Sequence, residues 1–160
     1  MAKQKEVKTN AMRILERMKI PFTHLTYECK EFEDGIQIAD MLGLPHEKVY
    51  KTLVTVGASK NYFVFVIPIE KELDLKAAAR SVGEKSVAMI HVKEINQITG
   101  YIRGGCSPIG MKRKFRTFID DTVSLYDKVY VSAGIRGLQL VISPSDLIKA
   151  SDGQPVDLIL

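Results

Sequence analysis

Two apolar stretches joined by a short polar turn constrain the fold of this chain more than any other feature. Residues 49–56 and 62–67 are rich in β-branched and aromatic side chains, and residues 58–61 between them are of turn-forming types. Strands so close in sequence pair most readily as an antiparallel hairpin. Because residues 62–67 are apolar without interruption, we predict that they form a central strand.

One side chain departs from the apolar character of the first strand. Lys51 shares a face of the predicted strand with Val49 and Leu53, because side chains alternate along a strand. An isolated ammonium group is costly to remove from water. Lys51 therefore either meets a negative partner, which could be a ligand, or extends its charged end to solvent from an edge strand. The local sequence favours the second interpretation.

Short helices and strands alternate irregularly along the rest of the chain. Helices are predicted between Thr9 or Asn10 and Pro21, and at residues 36–42, 75–82, 92–98 and 146–149. Strands are predicted at residues 22–27, 86–90, 117–119, 129–132 and 138–142, and an acidic loop at residues 29–35. The connections are too short for regular βαβ crossovers, so we predict an α+β fold. The expected architecture is a single domain over residues 1–160, with a mixed, curled, barrel-like β-sheet flanked by short helices.

Composition narrows the class of protein without naming a function. The 160 residues are 46% hydrophobic, which is typical of a globular domain, and the net charge of +4 is compatible with a polyanionic partner without requiring one. No apolar run approaches a membrane span and residues 1–10 lack the apolar segment of a secretory signal, so we predict a cytoplasmic location. Cys29 and Cys106 are expected to be reduced, and the three histidines lack metal-ligand spacing, so no metal or cofactor is expected.

Residues 100–110 contain four glycines and a proline. Such a stretch adopts backbone conformations that side chains forbid, or lies very close to another group. It is either a loop that offers backbone amides to a ligand or a rigid turn between strands, and the sequence favours neither. For Cys106, a small buried thiol is favoured over a nucleophile assisted by a histidine, because no local signature joins the two residue types.

A basic run follows directly at residues 112–116. It contains Lys112, Arg113, Lys114 and Arg116, which could contact several phosphates of a nucleic acid. If the run is a strand, Lys112, Lys114 and Arg116 share one face. A solvated basic edge that prevents aggregation of the sheet is the favoured interpretation.

Several of these motifs occur together, in order, in a known family. The chain resembles the YbaK/EbsC family over nearly its full length. The residues that carry the resemblance are Tyr50-Lys51-Thr52-Leu53, Gly100-Tyr101, Gly104-Gly105-Cys106-Ser107-Pro108-Ile109-Gly110, Val131-Ser132-Ala133-Gly134 and Arg136-Gly137-Leu138.

The resemblance implies a trans-acting aminoacyl-tRNA deacylase that is related to the editing domain of prolyl-tRNA synthetases. The expected substrate is cysteine mischarged onto proline tRNA, since threonine follows the lysine in the YbaK branch, as Thr52 does here. In this family the thiol of the substrate attacks its own ester, so the protein needs no nucleophile. The expected partners are the acceptor end of proline tRNA and, as a further expectation from the family, prolyl-tRNA synthetase. An alanine-type deacylase and a non-catalytic module that binds tRNA or a synthetase are the alternatives.

The resemblance also assigns roles by position. Lys51 is the expected catalytic residue and would orient the terminal phosphate or ribose. The expected substrate-binding residues are Tyr27, Thr52, Gly104, Gly105, Cys106, Ser107, Pro108, Ser132 and Asp146.

Overall fold

The computed structural model describes residues 8–29, 31 and 33–160. The polar segment 1–7 and two residues of the predicted acidic loop, Lys30 and Phe32, lie outside the described residues. The α-helices are α1 (Asn10–Arg17), α2 (Gly35–Leu42), α3 (Leu75–Val82), α4 (Ile95–Thr99) and α5 (Pro144–Ser151). The strands are β1 (Thr23–Thr26), β2 (Tyr50–Gly57), β3 (Tyr62–Pro68), β4 (Val87–Met89), β5 (Arg116–Asp120), β6 (Val129–Ser132), β7 (Leu138–Ile142) and β8 (Gln154–Val156).

The predicted hairpin forms the centre of a five-stranded sheet with the order β4-β2-β3-β5-β8. Strands β2 and β3 pair antiparallel, with Lys51 opposite Ile67. Strand β3 has neighbours on both sides, which confirms its predicted central position. It is buried along nearly its whole length, as expected for an uninterrupted apolar run.

A second, three-stranded antiparallel sheet has the order β1-β7-β6. The two sheets meet at an isolated parallel bridge between Val49 and Tyr130. In the larger sheet β5 runs parallel to both β3 and β8, so this sheet is mixed. The α+β class and the mixed sheet are therefore confirmed. The strands of the described chain do not close into a barrel, and the barrel-like form is not confirmed.

Two cores cover the two faces of the hairpin. On one face, Phe65 and Phe118 stack with ring centroids 5.6 Å apart and belong to the same buried cluster as residues of α3. On the other face, Tyr50 and Val66 join a larger cluster with the second sheet, α1 and α5. The hairpin therefore has no fully solvated face, which leaves little room for a charged side chain on β2.

Capping residues fix the helix ends. Thr9 caps α1, Asp74 caps α3, and Gly43 and Gly83 end α2 and α3 in the left-handed conformation that glycine tolerates. The start of α2 is fixed by a capping box, in which the Asp34 side chain accepts a hydrogen bond from the backbone of residue 37. No helix of the described chain is both long enough and apolar enough to span a bilayer.

The ends of two helices and the basic run differ from a regular pattern. Met18 and Leu75 continue the apolar spacing of α1 and α3, but each lies at the end of its helix, and 37% of Met18 and 44% of Leu75 are exposed. The condition under which Lys112, Lys114 and Arg116 would share one strand face is not met, since β5 begins only at Arg116. The Lys112 amide instead donates to the Thr99 carbonyl at 2.8 Å, which folds this segment back onto the end of α4.

Strand β8 was missed altogether. Its sequence, Gln-Pro-Val, contains a proline that cannot donate a hydrogen bond, and proline is tolerated in a strand only at the edge of a sheet. Strand β8 is such an edge, next to β5.

The buried carboxylate of Asp120 should contribute strongly to stability. Its two oxygens accept hydrogen bonds from the Leu158 amide (2.9 Å), the Thr122 hydroxyl (2.6 Å) and the Thr122 amide (3.3 Å). Asp120→Ala leaves these donors unpaired, so we expect a loss of about 2–4 kcal/mol in the free energy of unfolding. Urea denaturation followed by circular dichroism measures it. Asp121→Ala, at an exposed neighbouring position, is the matched control, and equal stability of the two variants would contradict the prediction.

Candidate functional site

Strand β2 is open over a short part of its outer edge. Strand β4 pairs with residues 55–57 of β2, the Ile90 amide donates to the Val54 carbonyl, and Val49 forms a bridge with Tyr130 of β6. Within the described chain, the residues between these contacts have no strand neighbour on that side. The Ile69 amide donates to the Val49 carbonyl (3.0 Å) and the Gly57 amide to the Asn61 carbonyl (2.8 Å), so the odd-numbered residues of β2 bond to β3. The peptide groups of Thr52 therefore point away from β3, towards the open edge.

A cavity of about 430 Å³ lies along this open edge. Its wall is assembled from distant parts of the chain: residues 49–54 of β2, residues 33–35 at the start of α2, and the glycine-rich loop at residues 103, 104 and 106. Apolar side chains such as Ile38, Ile69 and Ile90 form much of the remaining surface. An apolar hollow with a few polar groups is the usual form of a small-ligand site.

Lys51 lies in the wall of this cavity and is half-buried. Loss of solvation lowers the pKa of its ammonium group, and the negative charges of Glu72 and Asp34 partly offset that effect. No salt bridge of normal length joins Lys51 to an acid within the described residues. Lys51 is thus a lining residue of the cavity, with a charge that is partly removed from solvent.

The glycine-rich loop contains both a backbone conformation that side chains disfavour and a close approach to another segment. Gly104 has a φ of +85°, a conformation that side chains disfavour. A Cβ at Gly105 would lie 3.0 Å from the Ile135 Cα, so the loop packs directly on the turn between β6 and β7. The Tyr101 hydroxyl donates to the Ile109 carbonyl at 2.6 Å and closes the loop. The loop is both a rigid connection and part of the cavity wall, so the two interpretations are not exclusive.

Cys106 faces the cavity as a largely buried thiol. Burial raises its pKa, and its neighbour is the Thr99 hydroxyl at 3.6 Å. Among the described residues that line the cavity there is no histidine. A thiol with a raised pKa and no adjacent base is a weak nucleophile at neutral pH.

Two buried oxygens at the cavity have no hydrogen-bond partner within the described residues: Thr52 Oγ1 and Gln139 Oε1. Burial raises the pKa of the nearby Tyr27 hydroxyl, and its interactions with the Gly137 backbone and the Gln139 side chain partly offset that rise. Buried polar atoms are normally paired, so unpaired ones at a cavity suggest a missing ligand. The sequence analysis named Tyr27 and Thr52 but missed Gln139. A glutamine inside the apolar run 138–142 was the available signal.

The structure brings together only part of the predicted substrate-binding set. Ser132 lines the cavity with Lys51, Thr52, Gly104 and Cys106. The cavity-lining residues do not include Tyr27, Gly105, Ser107, Pro108 or Asp146.

For Ser107, Pro108 and Asp146, the structure shows where the residue lies instead. Ser107 is fully buried and accepts a hydrogen bond from the Ile109 amide at 3.3 Å. Pro108 is buried beside it, and Asp146 lies in the first turn of α5. Their predicted contacts with substrate stay predictions.

The predicted basic run lies on the surface outside the cavity. Lys112, Arg113 and Lys114 are exposed, and Lys114 is 3.2 Å from Asp152. Arg116 lies over the ring of Phe118, with its guanidinium carbon 5.4 Å from the centroid. Arg103 is the cation of the glycine-rich loop that does line the cavity.

Comparisons with known proteins agree on one family. Residues 30–150 match the family model described as an aminoacyl-tRNA editing domain. A protein of Enterococcus faecalis, named as a candidate Cys-tRNA(Pro)/Cys-tRNA(Cys) deacylase, EbsC, is 44% identical over 158 residues, which cover 96% of this chain and 95% of that protein. A proline–tRNA ligase of Fervidobacterium nodosum is 31% identical over 75 residues, covering 47% of this chain and 13% of the ligase.

A solved structure has the same fold. It is described as a candidate trans-editing enzyme for prolyl-tRNA synthetase and matches with a TM-score of 0.79. The two proteins are 21% identical, and the match covers 97% of this chain and 99% of the other.

Replacement of Lys51 by a neutral side chain should stabilise the free protein. Because desolvation lowers the folded-state pKa, the charged lysine opposes folding at every pH below that pKa, and the opposition fades as the pH approaches the ordinary value of 10.5. We expect Lys51→Met to raise the free energy of unfolding at pH 7 by up to about 1 kcal/mol, a gain limited by solvent screening. In urea denaturation the gain should shrink as the pH rises towards 10.5.

Lys76→Met on the exposed surface of α3 is the matched control and should leave stability unchanged. A Lys51→Met protein that is less stable than the wild type at pH 7 would show that the charge is satisfied in the free protein.

Proposed function

Because the chain belongs to the aminoacyl-tRNA editing domain family, it is an aminoacyl-tRNA deacylase, and we propose that its substrate is cysteine mischarged onto proline tRNA. The enzyme would act in trans, in the cytoplasm, on the acceptor end of the tRNA. Prolyl-tRNA synthetase is the proposed partner, since relatives are named for that enzyme. The membership in the family confirms the resemblance found in the sequence motifs.

The observation that carries this proposal is the half-buried charge of Lys51 in the wall of a small apolar cavity. A space of about 430 Å³ accommodates an aminoacyl group and part of the terminal nucleoside, but no folded RNA. The end of the tRNA must therefore enter while the rest stays outside. A cation at this position is suited to hold a phosphate or ribose oxygen of the entering end.

The proposed reaction uses the thiol of the substrate as the nucleophile. Its sulphur attacks the carbonyl carbon of its own ester, so that a carbon–sulphur bond forms and the bond to the tRNA ribose oxygen breaks. The thiol proton moves to that leaving oxygen. The product is a strained cyclic thioester, which water then opens to free cysteine. The protein mainly holds the substrate in the reactive conformation, a contribution that can be large.

The protonated thiol of Cys106 supports a mechanism in which the substrate, and not the protein, supplies the nucleophile. Its raised pKa leaves little thiolate at neutral pH, so the cavity offers no strong nucleophile of its own at that position. The exposed cations Lys112, Arg113 and Lys114 supply charge outside the cavity, where phosphates of the acceptor stem would lie. In this proposal they contribute affinity, and the cavity contributes the choice of amino acid.

The substrate is tested by comparing release of the amino acid from cysteinyl-, seryl- and alanyl-tRNA for proline under single-turnover conditions. We expect cysteine to be released at least about a hundredfold faster than serine, because a hydroxyl is a far weaker nucleophile than a thiol. Release of serine at the rate of cysteine would exclude the substrate-thiol mechanism. Preferred release of alanine would instead identify an alanine-type deacylase, and binding of tRNA without any release a non-catalytic module.

The role of Lys51 is tested by Lys51→Ala. We expect release of cysteine to fall at least about a hundredfold, because the positioning charge is lost from a site that excludes much of the water. Circular dichroism should show an unchanged fold. Lys76→Ala, which removes an exposed lysine from α3, should keep full activity. A fully active Lys51→Ala protein would show that this lysine has no part in the reaction.

A further inference from the structure

We propose that Gln139 recognises the free α-amino group of the aminoacyl ester, through a hydrogen bond to its side-chain oxygen. The inference rests on the proposed function for the nature of the ligand. It adds a specificity-determining residue and predicts that the enzyme rejects substrates whose amino group is blocked.

The position of Gln139 is unusual for a glutamine. It lies in β7, directly between Leu25 of β1 and Ser132 of β6, and only 5% of it is exposed. Its neighbours in β7, Leu138 and Leu140, point to the opposite face and join the main core. Gln139 instead faces the cavity wall together with Ser132.

The side-chain oxygen of Gln139 lacks a hydrogen-bond donor within the described residues. A buried amide oxygen without a donor is unfavourable, so such an atom is usually paired in the state for which the site is adapted. The hydroxyl of Tyr27 lies next to Gln139 and interacts with its side chain and with the backbone of Gly137. The free protein therefore holds an acceptor ready at the wall of the cavity.

The chemistry of an aminoacyl ester limits what can donate to this oxygen. The amino acid end must enter the cavity first, because the nucleic acid is too large to precede it. Its α-amino group is a strong donor that every amino acid carries, whereas the thiol of cysteine is a weak donor. Lys51, a donor only, must bind an oxygen of the substrate instead. The two residues would thus fix opposite ends of the reacting group.

The test measures binding of a stable probe, cysteinyl-adenosine with an amide in place of the ester, by calorimetry. We expect wild-type protein to bind this probe at least about tenfold more tightly than its N-acetyl form. Gln139→Met should bind the free-amine probe about tenfold more weakly and lose the preference. Gln139→Glu, which keeps an acceptor oxygen, should retain the preference.

Two controls separate this role from alternatives. Gln154→Leu changes an exposed strand glutamine at the far edge of the larger sheet and should bind as the wild type does. An alanyl probe lacks the thiol, so Gln139→Met should weaken its binding by the same factor if the amine is the group recognised. Thermal denaturation should show that Gln139→Met is folded.

The proposal is overturned if the wild type does not bind the free-amine probe or binds the free-amine and N-acetyl probes equally. It is also overturned if Gln139→Met still prefers the free-amine probe, or if binding of the cysteinyl probe depends on Gln139 and binding of the alanyl probe does not. The last result would assign the contact to the thiol. A wild type that prefers the free amine in binding but does not release cysteine from tRNA would refute the proposed function alone. If Gln139→Met does not fold, equal binding of the two probes by the wild type would still overturn the proposal.

Discussion

The site depends on the incomplete pairing of β2. Its last residues have strand neighbours on both sides and its start is bridged to β6 through Val49 and Tyr130. Within the described chain, the stretch around Thr52 has a strand partner only in β3. An unpaired strand edge normally invites aggregation and is covered in some way. Here α2 and the glycine-rich loop approach the edge without pairing with it, and the space between them is the cavity. The open edge thus supplies both the room for a ligand and the unpaired backbone groups that can meet it.

The polar groups of this cavity are arranged at the expense of stability. Lys51 keeps a positive charge in surroundings that lower its pKa, and the oxygens of Thr52 and Gln139 are buried without donors. Elsewhere the described chain satisfies its buried polar groups, as Asp120 does through Thr122 and Leu158. This contrast is characteristic of binding sites, where the ligand completes interactions that the free protein lacks.

Much of the fold could be predicted because its determinants are local. The hairpin follows from two apolar runs and a turn, and helix ends follow from residues such as Thr9, Asp74 and Gly83, which act on their own neighbours. The errors lie where distant contacts decide. The basic run is bent by a hydrogen bond from Lys112 to Thr99, and β8 exists because β5 offers a free edge.

By itself, the sequence determined the hairpin, the α+β class and the family, and it singled out Lys51 as a charge that needed an explanation. Only the tertiary structure decided what surrounds that charge. It placed Ser132 and the glycine-rich loop beside β2, left Ser107 outside the cavity wall, and buried the side-chain oxygen of Gln139 without a donor among the described residues. The physical reason is that a cavity is formed by elements far apart in the chain, and desolvation and hydrogen-bond pairing depend on all of them together.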